Sequence, residues 1–509
     1  MSFKYSIILS NMFADEEVYS MNGKSSLFFA GLLCAGLISC GSGEKPCDPM
    51  DEELVKELTV ANANEIYGNI YLPTEVDGKQ IEWKSSDPTV ISDKKEEQME
   101  AGVVHRKETD TEIKLTATIK DEEKKSCASF TQTVTVKALE KNIKDEDYVG
   151  YMFGHFISED GKEENGEKIA VGEQMYFAFA DQGKGLHFKD LSTRNNPILS
   201  STVGERGVRD PFMMRSPEGD RFFIVATDLS VYTRGGWGAN TNDKFSKNGS
   251  HSLVFWESRD LINWSESRLL EVAPSNAGMA WAPEMIYHEE SGQYVIFFAS
   301  CLVNEDHSEK IEKDAIYYVT TRDFIHISEP KLLINNQDEG RRIVIDASIL
   351  RLGNTYYSAV KDGDNNVDGG GILIQKTTNL FDHESWERIG NLADTGFKVS
   401  GGWGGSAPAS NKNLEGPEWF VYNRADRTNQ DVPEYGLMGD QYMNSGAGYL
   451  PFATTNIEDI HNENGSWRML SAGEDKDYSW DRLTKRHGTI MRLTAEECAR
   501  IRDHYSLNA

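Results

Sequence analysis

The chain reads as an all-β protein, a five-bladed β-propeller preceded by a small β-sandwich. Three observations point there. Through most of the 509 residues the apolar runs are short, alternate with polar residues and end at turn residues. Four similar segments, with a fifth that aligns to them, begin at Asp210, Trp281, Asp346, Glu415 and His487, at intervals of 71, 65, 69 and 72 residues. A polar turn followed by an aromatic residue recurs between them. Near-regular repetition of this kind marks a repeat architecture, in which each unit needs its neighbours to bury its apolar face.

The N-terminus is read as a targeting segment rather than as part of the fold. Leu27 to Ile38 is an apolar run preceded by Lys24, too short to span a bilayer comfortably and of signal-core length. It ends in Leu37-Ile38-Ser39-Cys40-Gly41, and small residues before a cysteine at this point resemble a bacterial lipobox. Cleavage before Cys40 would free its amine for acylation and its thiol for a diacylglycerol thioether, which needs a cysteine. Residues 1–40 are then signal, with Met21 as the start, and the Gly-, Pro- and acid-rich residues 41–52 are a tether. The expected location is the bacterial cell envelope, held by a lipid anchor. Cys34 falls in the signal. Cys47 and Cys127 flank the first mature domain and could pair in an oxidising compartment. Cys301 reads as a buried free thiol, and Cys498 sits in a terminal helix over 495–509.

Residues 53–140 carry strand-like runs at 66–73, 81–87, 102–104, 113–119 and 130–136, separated by turns, the pattern of a small sandwich. The run Ile81-Glu82-Trp83-Lys84-Ser85-Ser86-Asp87 followed by Gly102-Val103-Val104 resembles the bacterial Ig-like domains found beside glycan-degrading modules. No catalytic constellation appears there. The expected role is a spacer, with glycan binding as the alternative.

The propeller spans residues 148–494. Its inner strands start Arg209-Asp210-Pro211-Phe212, Trp281-Ala282-Pro283-Glu284, Asp346-Ala347-Ser348-Ile349, Glu415-Gly416-Pro417-Glu418 and His487-Gly488-Thr489-Ile490. The second repeat is Glu257-Ser258-Arg259-Asp260 to Trp264, with counterparts at Thr321-Arg322-Asp323-Phe324, Thr378-Asn379 to Trp386, Thr455-Asn456 to Trp467, and Asp181-Gln182-Gly183 to Phe188. Asp or Asn caps the turn and the aromatic packs between sheets. The His487 strand comes last, so strands such as 151–156 must complete its blade and close the ring.

Equivalent positions of inner strands converge on one axis, so Asp210, Asp346 and Glu415 would share one funnel. Crowded carboxyls raise one another's pKa. Hydrolysis of a glycosidic bond needs one protonated acid and one ionised base. The net charge of −29, from 82 acidic against 53 basic residues, disfavours nucleic acid and anionic lipid as partners. Neutral sugars remain compatible with it. The Gly-rich stretches at 235–238 and 401–405 lack the strand–loop–helix setting of phosphate sites.

The R-D-P-F, W-A-P-E, D-A-S-I-L-x-x-G-x-x-Y-Y, E-G-P and R-H-G elements, in this order, resemble glycoside hydrolase family 43. That resemblance covers about residues 148–494 and implies a five-bladed propeller that inverts the anomeric centre. It makes Asp210 the general base, Glu415 the general acid, and Asp346 the third acid that tunes and orients Glu415. It likens His487 to an axial histidine near a central calcium or water. No cofactor is required, and a structural calcium at the axis is the one ion implied. Trp281 and Trp237 are candidates to stack on sugar rings, and Arg209 and Arg486 to bind hydroxyls or steady a carboxylate. Glu284, three residues inside the second inner strand, is read as structural or as a support behind the site. The expected activity is exo-acting and inverting, an α-L-arabinofuranosidase or β-D-xylosidase on plant polysaccharide side chains. The alternatives are a galactan-directed enzyme of the same fold or a non-catalytic surface glycan-binding protein.

Overall fold

The computed structural model describes residues 49–120, 126–139, 142–335, 343–363, 371–397, 414–442, 447–461 and 465–507. Cys40, Cys47, the Cys127 side chain and the 401–405 loop lie outside them, so the anchor and the cysteine pairing do too.

The described chain is nearly all β. Five four-stranded sheets have first strands that adjoin one another in a closed circuit, an arrangement of propeller type. These inner strands are Val208–Arg215, Trp281–His288, Val344–Leu352, Glu415–Val421 and Gly488–Thr494, and they define ring sheets 1 to 5. Each sheet is covered on both faces, so its second strand reads as an unbroken apolar run; Phe222–Asp228 is buried at every position. The apolar side chains fall into clusters that each join two neighbouring sheets. Phe223 and Phe255 of ring sheet 1 pack with Met285 and Tyr294 of ring sheet 2. Leu437 and Phe452 of ring sheet 4 pack with Ala359 and Ile374 of ring sheet 3. The ring is therefore held by interfaces between sheets, and no single sheet has a core of its own.

Ring sheet 5 takes Gly488–Thr494 from the end of the chain and Tyr148–His155 from before ring sheet 1, paired antiparallel. The helix Ala495–His504 follows at once. Thr494 caps it, and the Glu497 side chain returns to the Thr494 N–H. Its Cys498 and Ile501 are buried in the cluster between ring sheets 5 and 1.

The recurrent turn has one construction. A hydroxyl at Ser258, Thr321, Thr377 or Thr454 is followed two residues on by Asp260, Asp323, Asn379 or Asn456. Asp260 Oδ1 accepts the Ile262 N–H at 2.9 Å, and Asp323 Oδ1 accepts that of Ile325 at 2.9 Å. Trp264, Trp386 and Trp467 donate their indole N–H to the carbonyls of Leu261, Leu333 and Ile457, fixing the aromatic between sheets.

The N-terminal domain differs from the expected sandwich. It has one sheet, Glu75–Val76, Lys79–Ser85, Thr111–Lys120 and Ser126–Val136. The 66–73 and 102–104 runs make only isolated bridges, Ile66 with Val136 and Val104 with Ile91. The Asn69 side chain accepts the Val104 N–H at 2.8 Å, a bond that a regular ladder would have made through the backbone. The second layer is thus irregular chain. This domain stands on the strand ends of ring sheets 1 and 2 that are remote from Asp210. Arg106 forks onto Asp220 at 2.9 and 2.6 Å, Arg259 lies 3.4 Å over the Tyr67 ring, and Arg322 donates to the carbonyls of Ile70, Ala101 and Glu100.

Candidate active site

The inner strands of ring sheets 1 to 4 slip in register near their start, between Arg209 and Phe212, Trp281 and Glu284, Ile345 and Ala347, and Glu415 and Glu418. Each slip is a bulge with one left-handed residue: Asp210 at φ 45°, Ala282 at 45°, Asp346 at 52° and Gly416 at 53°. Those four residues are the structural equivalents. Trp281 and Glu415 belong one position earlier, level with Arg209 and Ile345. Setting them level with the two aspartates is therefore one residue out, and the proline after the bulge in three of the sheets (Pro211, Pro283, Pro417) marks the true register. Bulges beside active sites re-aim side chains. Here they let carboxylates from two different repeat positions reach one funnel.

Asp210 Oδ1 lies 3.3 Å from His487 Nδ1, and its Oδ2 accepts the Thr227 hydroxyl at 3.0 Å. The same Thr227 oxygen accepts the Ala282 N–H at 2.7 Å, tying the bulges of ring sheets 1 and 2 together. Burial works to raise the Asp210 pKa, but His487, Arg209 and Thr227 outweigh it and hold the carboxyl below its ordinary value. Burial likewise opposes charge on His487, yet Asp210, Asp346 and Glu284 push the imidazole up to about 9. The two form an ion pair at neutral pH.

Asp346 Oδ2 accepts the Gly416 N–H at 3.0 Å. Burial raises its pKa; His487 opposes this and Asp210 adds to it. Glu415 goes furthest. Burial, then Asp346 and Asp440, push its carboxyl up to about 8 against the pull of Lys361 and Arg486. The residue after it has to be glycine. A Cβ on Gly416 would sit 2.7 Å from His487 Cγ, and its φ is left-handed. At pH 7 the axial ends of the inner strands therefore hold an ionised aspartate and a protonated glutamic acid, with Asp346 acting on the latter, two carboxyls whose environments drive their pKa values apart.

Arg209 and Arg486 are both committed to carboxylates. Arg209 Nη1 donates to Glu159 at 2.9 Å and to Glu173 at 3.2 Å. Arg486 Nε donates to Asp440 at 2.8 Å, and its Nη1 reaches Glu159 at 3.5 Å. Burial alone would raise the Glu159 pKa, but the two guanidiniums lower it to about 2. Trp281 packs with Leu229, Val231 and Phe245 and with Met279 and Val303. Trp237 is exposed. Below the bulges, Glu284 and Glu418 are buried and hydrogen-bonded to each other, and burial raises both, Glu418 to about 8. They hold a proton between them, which fits a structural reading of Glu284.

The family resemblance implies a structural calcium near His487. Among the described residues no group of three His, Cys, Asp or Glu side chains converges to hold a metal, and His487 Nδ1 is engaged by Asp210.

Thr227, Lys361 and Asp440 lie on second strands and Glu159 outside the strands, so the repeat of the inner strands does not point to them. A signal was present. The second strands of ring sheets 1, 3 and 4 end in Thr227-Asp228, Lys361-Asp362 and Gly439-Asp440. Polar residues closing an apolar run thus recur at one place in the repeat, and Asp440 lies opposite Glu415 in the ladder.

Residues 146–499 match the family model described as "Probable glycosyl hydrolase domain", a group related to family 43. The chain belongs to this glycosyl hydrolase family. Residues 52–138 match the "Atrophied bacterial Ig domain", in keeping with its single sheet. An α-L-arabinofuranosidase of Bifidobacterium longum subsp. longum is 28% identical over 421 residues, 75% of this chain and 36% of that protein; the chain spans about a third of that relative's length. Solved structures with a resemblance include the GH93 α-L-arabinofuranosidase of Fusarium graminearum in complex with arabinobiose, at 14% identity, 70% of this chain, 90% of that chain and a TM-score of 0.38. The α-L-arabinofuranosidase of Lactobacillus brevis, at 14% identity, 58% and 80% coverage, has a TM-score of 0.37.

Proposed function

We propose that this glycosyl hydrolase is an inverting, exo-acting enzyme that removes α-L-arabinofuranosyl or β-D-xylosyl units from plant polysaccharide side chains. In this reading the five ring sheets are the blades of a five-bladed propeller, and the chain is carried on the cell envelope by a lipid on Cys40. The observation that carries the reading is the divergence of two carboxyls in one funnel, Asp210 held below its ordinary pKa and Glu415 pushed up to about 8. Glu415 protonates the glycosidic oxygen as the bond to the leaving group breaks. Asp210, ionised and oriented by His487 and Thr227, takes a proton from a water that attacks the anomeric carbon from the opposite face. Asp346 holds the Gly416 N–H beside Glu415 and adds the negative charge that keeps the acid protonated. A single displacement needs room for that water, a carboxyl separation of roughly 6.5–9.5 Å. The arabinofuranoside preference is supported by the name of the Bifidobacterium relative.

The test is hydrolysis of aryl α-L-arabinofuranoside, β-D-xyloside and β-D-galactoside by wild type, Asp210→Asn and Glu415→Gln, with the anomer of the first product read by NMR. Activity on one sugar, lost in both variants and yielding the inverted anomer, supports the proposal. A retained anomer overturns the inverting mechanism, a galactoside-only profile moves the substrate to galactans, and activity surviving both substitutions removes the site from the axis.

A further inference from the structure

We propose that Trp237 and Glu159 form a sugar-binding shelf at the funnel mouth, a subsite for a second sugar unit of a neutral glycan beside the one being hydrolysed. The inference rests on the hydrolase reading and adds a binding site to it. Trp237 lies in the segment joining Phe222–Asp228 to Ser252–Ser258, at the Asp210 end of ring sheet 1. Glu159 follows Tyr148–His155, whose last residue is paired with Gly488, at the same end of ring sheet 5. The two side chains meet across the junction of these sheets. Trp237 Nε1 donates to Glu159 Oε1 at 3.4 Å, and Arg209, the neighbour of Asp210, reaches both the Glu159 carboxylate at 2.9 Å and the indole at 5.4 Å.

Three features separate this indole from the packing aromatics. It is 48% exposed, the one tryptophan among the described residues left in solvent to that extent. It is also held in place: its polar atom is engaged by Glu159, and its ring is backed by Phe245 at 5.8 Å. Thirdly, the backbone is built to present it. Gly235 and Gly236 precede it at φ 98° and 81°, and a Cβ on Gly236 would meet nothing within 4 Å, so the glycines serve the left-handed turn rather than close packing. An immobilised ring with its N–H already satisfied offers apolar surface, the complement of the C–H face of a sugar. Glu159 beside it is an ionised acceptor for hydroxyl groups. Arg209 and Arg486 are already paired with Glu159, Glu173 and Asp440, and the net charge of −29 disfavours uronate-bearing chains, so the glycan that fits is neutral.

The test measures kcat/KM on a neutral trisaccharide and on the aryl monoglycoside with the same terminal sugar, for wild type, Trp237→Phe and Trp237→Ala. Losing one stacking contact of about 1.4 kcal/mol lowers the trisaccharide-to-monoglycoside ratio about tenfold in Trp237→Ala, with partial recovery in Trp237→Phe. An unchanged ratio, including equal losses on both substrates, overturns the shelf. Calorimetric titration of the trisaccharide into the Glu415→Gln protein, with and without Trp237→Ala, separates this proposal from the hydrolase reading. Binding that depends on Trp237, alongside a wild-type protein that hydrolyses neither the trisaccharide nor the monoglycosides, keeps the shelf and sinks the enzyme. Binding that is absent, or indifferent to Trp237, overturns the shelf.

Discussion

Replacing Asp346 by asparagine should move the alkaline limit of activity to lower pH. Glu415 acts protonated, so activity falls as pH rises through its pKa. That pKa stands at about 8 instead of 4.5, through burial first and then the negative charges of Asp346 and Asp440. At pH 7 about nine-tenths of the side chain is protonated, against about 0.3% for an ordinary glutamate. A carboxylate on the order of 6 Å away, at an effective dielectric of about 20, contributes roughly 2–3 kcal/mol, which corresponds to at most about two pH units. Asparagine keeps the size of Asp346 and its contact with the Gly416 N–H through the side-chain oxygen, but removes the charge. The alkaline midpoint of kcat/KM should therefore fall from about 8 to between about 6 and 7, a loss of about five- to fiftyfold at pH 8 from protonation alone and little at pH 5.5. The assay is a kcat/KM profile from pH 4.5 to 9.5 on the aryl glycoside the enzyme accepts. Asp346→Asn lowers the whole profile if orientation also suffers, so the midpoint is the readout. A midpoint that stays near 8 or moves upward would refute the electrostatic role given to Asp346.

The opposite limb should respond to His487. Without the imidazolium, Asp210 loses the partner that keeps it ionised, and His487→Ala should shift the acidic midpoint of kcat/KM to higher pH; a downward shift contradicts the ion pair. Glu418 binds a proton in the folded state up to about 8 and in the unfolded chain only to about 4.5, so stability is fullest below about 4.5 and declines as pH rises through about 8. The drop in Tm between pH 5 and 8 should accordingly be smaller in Glu418→Gln than in wild type, and an equal drop would count against it. Gly416→Ala forces a side chain into a left-handed site against His487 and should cost about 1–3 kcal/mol or more, seen as a lower Tm together with lost kcat. Arg322→Ala removes charge-assisted bonds to three carbonyls of the N-terminal domain, worth about 3 kcal/mol or more together. Calorimetry should then resolve that domain melting ahead of the ring, and one unchanged transition would mean the junction does not hold it.

Much of this was legible in the chain. The repeat intervals, the turn built on Asp260, Asp323, Asn379 and Asn456, and the return of the last strand to the first are written in local pattern, and the structure follows them. Asp346 lies within electrostatic reach of both Asp210 and Glu415. What failed was register. Sequence places Trp281 and Glu415 level with two aspartates because it shows an order of residues and not where a ladder slips. In the N-terminal domain, Ile66 to Pro73 has strand composition, yet the Asn69 side chain takes a bond that the backbone would have made.

The sequence by itself determined the repeat, its period and the acids available to it, because alternation and turn chemistry act between residues a few positions apart. Only the tertiary structure decided which of those acids is an acid and which a base. That choice depends on burial and on charges such as Asp440, Arg486, His487 and Lys361, brought to the axis from strands far apart in the chain. Glu159, on which two arginines and Trp237 converge, belongs to no repeated motif, and the ring closure between ring sheets 5 and 1 is what gives it a place in the site.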